Sequence, residues 1–162
     1  MPMTLKGFIQ VLERVAGSQP AVHTIIRNDI YRLNALPNVR YGVVAWSQLE
    51  HRVSTDSIDF SFLLTYADRL DLTELAGQPA KQGNELDVQS VAVQVLTNII
   101  KTIRDGGVHV DDYTLEAFSQ RFSDECAGAY ARVTFSIPMA LYCGSIDLGA
   151  FNIDYNNDFD IL

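Results

Sequence analysis

The residues of this chain that could carry chemistry are two cysteines, three histidines and a scatter of acidic pairs, and their spacing supports none of the usual reactions. Cys126 stands in Asp124-Glu125-Cys126-Ala127-Gly128, where neighbouring carboxylates favour the protonated thiol, so it reads as structural rather than nucleophilic. Cys143, in Leu141-Tyr142-Cys143-Gly144, reads as a small buried hydrophobe. Two cysteines this far apart make neither a disulfide framework nor a zinc site, and a reducing cytosol is the default compartment. His23, His51 and His109 each lack a second histidine or cysteine at ligand spacing. The pairs Asp111-Asp112, Asp124-Glu125 and Asp158-Phe159-Asp160 offer oxygens to a divalent cation, but a chain with 20 acidic residues produces such pairs freely. Gly106-Gly107 follows a helical pattern instead of preceding one, so it cradles no phosphate, and no Walker or dinucleotide fingerprint is present. No catalytic residue, cofactor or metal is assigned, and the chain is not read as an enzyme. Trp46, Tyr41 and Tyr66 resemble a stacking platform for single strands, but no basic residues are interleaved with them beyond Arg40 and Arg52, so core packing is expected.

Composition narrows the classes further. At 162 residues and 48% apolar content the chain suits one core with appendages. Twelve basic against 20 acidic residues give a formal charge of -8, which invites no phosphate backbone, because non-specific nucleic-acid affinity comes from Lys and Arg displacing counterions. A negative surface suits instead a channel through which DNA slides without adsorbing. The opening Met-Pro-Met-Thr-Leu-Lys-Gly-Phe-Ile-Gln is not a secretory signal, and no apolar run approaches the roughly 20 residues that cross a bilayer, so a soluble protein made inside the cell is expected.

The elements follow from periodicity. Thr4 caps a first helix with Leu5, Phe8, Ile9, Leu12 and Val15 on one face and Lys6, Gln10, Glu13 and Arg14 in water, ending at Gly17. Val22 to Leu36 fits either a helix or short strands, with strands preferred for the β-branched content and Asn28-Asp29. The run from Val39 to Trp46 is strand-like and apolar on both faces, and the next strand alternates Ile58, Phe60, Phe62, Leu64 and Tyr66. Between them the polar residues Ser47 to Ser57 predict a long hairpin with an extended or partly paired tip, the kind of feature that makes contacts. Asp71 to Gly83 reads as a loop. Asn84 then caps a helix whose Val88, Val91, Ala92, Val95, Leu96, Ile99, Ile100 and Ile103 form a wide stripe, stopping at Gly106-Gly107. Two strands follow, Tyr113 to Phe122 with a bulge-like slip at Ala117-Phe118, and Ala129 to Ile137 closed by Pro138. The expected architecture is α+β: a mainly antiparallel sheet with two α-helices on one face, in the order α-ββ-α-ββ.

The last residues change character. From Phe151 the odd positions Phe151, Ile153, Tyr155, Phe159 and Ile161 are apolar and the even ones polar until Leu162. The chain is accordingly divided into a domain over 1–145 and an acidic, aromatic arm over 146–162. The arm is either a frayed tail or a strand added to a neighbouring subunit or a partner protein. On the second reading, deleting residues 149–162 weakens assembly and leaves the thermal transition nearly unchanged.

Three segments carry a family likeness: Leu64-Thr65-Tyr66-Ala67-Asp68-Arg69-Leu70, the helix with Asp87-Val88-Gln89-Ser90 and Leu96-Thr97-Asn98-Ile99-Ile100, and Arg121-Phe122-Ser123-Asp124-Glu125-Cys126-Ala127-Gly128. With these, residues 4 to 140 resemble the tail-terminator and neck (head-tail connector, tail-completion) proteins of tailed bacteriophages, including ring proteins of the crAss-like group. The resemblance implies a tail-terminator-like fold and a virion structural protein that assembles as a homo-oligomeric ring of six or twelve copies. Such a ring joins portal or head to tail, meets adjacent neck, portal and tail proteins, and lets DNA pass through its lumen without specific binding. It involves no membrane and no cofactor, and it places the protein in the virion neck or tail after synthesis in the host cytoplasm. The interface expected on this basis comprises Gln48, Glu50, His51, Arg52 and Asp56 of the hairpin and Phe151, Ile153, Tyr155, Phe159 and Ile161 of the arm. Two other classes stay open: a monomeric binding module or prophage accessory factor with one apolar patch and no ring, and an enzyme with a deep pocket of titratable groups.

Overall fold

A computed structural model describes residues 3–70, 84–121, 125–140 and 158–162. The chain is α+β. Helix α1 spans Leu5–Gly17, and the Thr4 hydroxyl oxygen accepts from the Gly7 amide at 3.1 Å, one of the donors a helix start leaves unpaired. Strand β1 (Thr24–Arg27) follows, then a 3-10 helix (Ile30–Ala35) and the strands β2 (Val43–Val53) and β3 (Ser57–Arg69). Helix α2 (Glu85–Asp105) precedes β4 (His109–Val110), β5 (Leu115–Arg121), β6 (Cys126–Pro138) and the short β7 (Asp160–Ile161).

The seven strands form one mixed sheet in the order β4-β6-β3-β2-β1-β7, with β5 also pairing β6. Its centre is antiparallel: β3 pairs β2 on one side and β6 along its whole length on the other, from Ser57 opposite Pro138 to Arg69 opposite Cys126. The two pairings at the far edge, β1 with β2 and β1 with β7, are parallel. Strands β4 and β5 lie one after the other along β6, so together they act as an interrupted edge strand.

Side-chain alternation separates the two faces. Ile58, Phe60, Phe62, Leu64 and Tyr66 of β3 and Ala129, Ala131, Val133, Phe135 and Ile137 of β6 face both α-helices and make the main core. Phe8 of α1 sits among three rings there, with centroids 4.9 Å from Phe135 and 5.6 Å from Phe60 and Phe62. Such aromatic pairs add about 0.5–1.5 kcal/mol each beyond area burial. On the opposite face a smaller cluster of Ile26, Ile30, Leu33, Val43, Ala45, Ala67, Phe118 and Cys126 lies under the 3-10 helix.

Several sequence expectations change. Residues 24–36 are a strand and a 3-10 helix, not two strands, because Asn28 at φ 77 turns the chain and the Asp29 carboxylate accepts from the Tyr31 amide at 2.9 Å. Strand β2 begins at Val43, not Val39. Gly42 is held at φ +83 with its carbonyl accepting from the His23 amide at 2.8 Å, and a Cβ there would collide with the Ala21 carbonyl. The long hairpin expected around residues 47–57 is present and paired almost to the turn: residues 47–53 belong to β2 and pair with β3, with a register shift between Gln48 and His51. In α2, Val91 is exposed while the other seven positions of the stripe are buried. Glu13, expected in water, is buried at 3% exposure. The 71–83 loop and the 151–157 part of the arm lie outside the described residues.

Candidate functional site

Among the described residues the α-helices pack on one sheet face, and on the other the 3-10 helix covers only the part near β1. What remains is polar where β2, β3 and β6 run together: Glu50, Arg52, Asp59, Ser61, Asp111 and Thr134 surround an open depression of about 460 Å³. Its floor is cross-linked by hydroxyls, with Ser136 Oγ donating to Asp59 Oδ1 at 2.6 Å and the Ser61 and Thr134 oxygens 2.8 Å apart. Three carboxylates and one guanidinium give the depression a negative bias. Among the described residues no group of three His, Cys, Asp or Glu side chains could hold a metal ion.

Beside it lies a smaller groove of about 190 Å³ lined by Ile30, Tyr31, Leu63, Thr65, Phe118, Tyr130 and Arg132. Tyr31 rises over it at 60% exposure, and the Tyr130 hydroxyl donates to Glu116 at its edge. An aromatic wall with an exposed guanidinium suits an apolar side chain carried by a partner with a carboxylate or carbonyl nearby.

The sheet's far edge is stepped. Strand β2 is paired by β1 only as far as Trp46, where the Asn28 amide donates to the Trp46 carbonyl at 2.8 Å and Ser47 Oγ donates to Asn28 O. Beyond that, β2 continues to Val53, which is 70% exposed. The register shift near Gln48 and the charged Glu50 and Arg52 are devices that keep such an edge from indiscriminate pairing.

One step further out, β7 lies parallel on β1. The Asp160 amide donates to His23 O at 3.0 Å, Leu162 N–H donates to Ile25 O at 2.8 Å, and Arg27 N–H donates to Leu162 O at 3.2 Å. Arg40 pairs with Asp160 at 3.7 Å, both side chains half exposed. Phe159 presses against Gly17 at the end of α1, so closely that any Cβ at position 17 would fall inside its ring. The strand periodicity of the arm is thus realised on the chain's own sheet for residues 160–161, a placement that neither the frayed tail nor the strand added to a neighbour anticipated.

Beneath this edge a polar triad fastens α1 to the sheet. Glu13 accepts from Arg27 through Nε at 2.6 Å and NH2 at 2.8 Å, and from Trp46 Nε1 at 3.1 Å. The Glu13 hydrogen bond and charge push the Arg27 pKa further up. Tyr66 also keeps its proton, which in a phenol means that it stays neutral. Burial, then the charge and hydrogen bond of Asp68, push its phenol above the ordinary range, and its hydroxyl donates to Ala21 O at 3.2 Å.

The residues expected to form an interface therefore fall in two places. Glu50 and Arg52 flank the polar depression, while His51 turns to the helix side, edge-on to Phe60 at 5.4 Å and 3.0 Å from Gln48 Oε1. Asp56 occupies the hairpin turn, its carbonyl accepting from the Met139 amide at 2.8 Å. Phe159 and Ile161 lie at the β1 edge, on the same side of the sheet as the free part of β2. Phe151, Ile153 and Tyr155 lie outside the described residues. Among the chemical candidates, Cys126 is fully buried, His109 is exposed beside Asp111 at 3.3 Å, and Trp46 and Tyr66 are core residues. Tyr41 is half-buried, with the Arg69 guanidinium 5.6 Å above its ring. Cys143 is not among the described residues.

Sequence reasoning missed the Tyr31–Arg132 groove. The signal was present in β3, where Leu63 interrupts the polar series Ser57, Asp59, Ser61 on the side away from the helices. An apolar residue there marks a second covered face. No helix among the described residues is long and apolar enough to cross a membrane. No protein-family model and no curated protein matches the chain.

Proposed function

We propose that this chain is a structural protein of a phage virion that assembles into a ring in the neck or tail, as a tail terminator or head-tail connector, around the DNA channel. The observation that carries the reading is the stepped edge: β2 runs from Ser47 to Val53 past its last β1 partner, alongside a helix-free face. An unpaired strand edge on one copy and a different surface on the next make a heterologous contact, which closes into a ring when its rotation divides a full turn. The resemblance of residues 4 to 140 to neck and tail-terminator proteins supports the same conclusion. The formal charge of -8 suits a wall past which DNA moves without specific binding. Adjacent portal, neck or tail proteins would then meet the hairpin end and the polar depression.

Negative-stain imaging of the purified chain tests the proposal. Rings of six or twelve copies with a central hole are expected, and strictly monodisperse single copies would overturn it. The groove at Tyr31, Leu63, Tyr130 and Arg132 favours a second reading, a monomeric module that holds an apolar side chain of a partner. That reading predicts a stable one-to-one complex and no ring.

A further inference from the structure

We infer that the β1 edge and the notch at Gly17 form an exchangeable strand seat, filled in the assembled protein by residues 158–162 of a second copy of this chain. The seat is built wholly from the early part of the sequence. Gly17 ends α1, His23, Ile25 and Arg27 supply the backbone groups, and Arg40 supplies the cation. Its occupant comes from the other end. Nothing in the seat depends on which copy contributes the strand, so the same three backbone hydrogen bonds, the same ion pair and the same Phe159 contact form within a copy or between copies.

The occupant is short, and this makes exchange feasible. Only two residues pair in register, Asp160 opposite Thr24 and Ile161 opposite Ile25. The ion pair is half exposed and so contributes little. The specific element is Phe159, because the bare Cα of Gly17 admits a ring that any side chain would displace. Seventeen residues separate Ala140 from Asp158 in the sequence, and a chain of that length reaches at most about 60 Å. Where copies stand side by side, a neighbour's strand reaches the seat at an effective concentration comparable with that of the copy's own, and the choice then follows geometry rather than new contacts. Unpaired, β1 would present a parallel edge with the Arg27 amide and the His23 and Ile25 carbonyls exposed. The biological use of the seat rests on the ring reading, while its existence does not.

Two complementary chains test it. One lacks residues 158–162 and so has an empty seat. The other carries Gly17→Leu, which fills its own notch and frees its strand. Mixed, they are expected to form a one-to-one complex by light scattering, weakened at least tenfold by Phe159→Ala in the donor and by Arg40→Glu to a smaller extent in the acceptor. If Gly17→Leu fails to fold, a synthetic peptide of residues 157–162 replaces it as donor, with saturable binding to the truncated chain expected. Absence of any complex or peptide binding, with the truncated chain still unfolding cooperatively, would overturn the inference. Rings of the intact chain without this complementation would sink the exchange and leave the ring. Complementation without rings would do the reverse.

Discussion

Arg27 holds Glu13 in a two-pronged grip, Nε on one carboxylate oxygen at 2.6 Å and NH2 on the other at 2.8 Å. Arg27 is on the strand that receives the C-terminal residues and Glu13 is on the helix that carries the Gly17 notch, so the pair sets the spacing between the two walls of the seat. Trp46 completes the arrangement from β2. One carboxylate therefore ties together α1, β1 and the last β2 residue that β1 covers.

Removing one partner of this network should cost more than the pair is worth. Arg27→Ala leaves a buried carboxylate with a single donor, and Glu13→Ala leaves the buried indole N–H without its acceptor. Because Arg27 is half exposed, solvent softens the first loss. Each variant is expected to lower stability by about 2–3 kcal/mol in urea unfolding at unchanged m. The double variant should lose less than the sum, and a fully additive double variant would show that the two residues act separately.

Alkaline pH should expose the buried phenol. Tyr66 keeps its proton in the folded state to a higher pH than in the unfolded chain, so its contribution is fully present below the ordinary tyrosine value of 10.0 and fades as pH rises beyond it. The slope from this one group is at most roughly 1.4 kcal/mol per pH unit. In Tyr66→Phe that part of the decline should vanish, after an initial loss of about 1 kcal/mol for the bond to Ala21 O. Identical alkaline slopes for the two proteins would refute the assignment.

Gly128 has a packing explanation. A Cβ there would strike the Tyr66 carbonyl of β3, and the Phe118 ring stands 3.0 Å from its position on the other side. Gly128→Ala is expected to cost about 2–4 kcal/mol, since neither the central ladder nor the ring over it yields freely. A Tm within two degrees of the parent, taken as roughly 0.5 kcal/mol or less, would contradict this.

Periodicity in the sequence located most of the scaffold because most of it is half-buried. Thr4, Gly17, Asn84 and Gly106 bracket the two helices as expected, and β3 from Ser57 to Leu64 and β6 from Ala129 to Pro138 alternate buried with more exposed positions because one face meets the helices, an alternation that stops at Thr65–Ala67 and Cys126–Gly128, where the second cluster buries the other face too. Legibility failed where tertiary contacts override local pattern. Glu13 looks like a surface helix residue until Arg27 and Trp46 arrive from elsewhere in the chain. The parallel pairing of β1 with β2 and β7 depends on long-range register, which no spacing reveals. For the site, Glu50 and Arg52 were legible as an exposed polar stretch, whereas the Tyr31–Arg132 groove needs four segments brought together, the 3-10 helix, β3, β5 and β6.

The own-chain pairing of Asp160–Ile161 also changes what truncation should do. With Phe159 against Gly17 and three backbone hydrogen bonds to β1, loss of residues 158–162 is expected to lower the stability of the isolated copy by about 1–3 kcal/mol, not to leave it untouched. Denaturant unfolding of the truncated and intact chains makes the comparison. An unchanged midpoint would mean that the strand adds nothing to the copy it comes from.

On the proposed reading, further copies of this chain complete the β2 edge beyond Trp46, where β1 pairing stops, and the sheet face that no α-helix covers among the described residues. The particle-mass distribution of the purified, intact protein across a concentration series tests it most directly. A discrete species at six or twelve times the 18.0 kDa protomer, growing with concentration at the expense of single copies, is the predicted result. A single 18.0 kDa species throughout the series would contradict it.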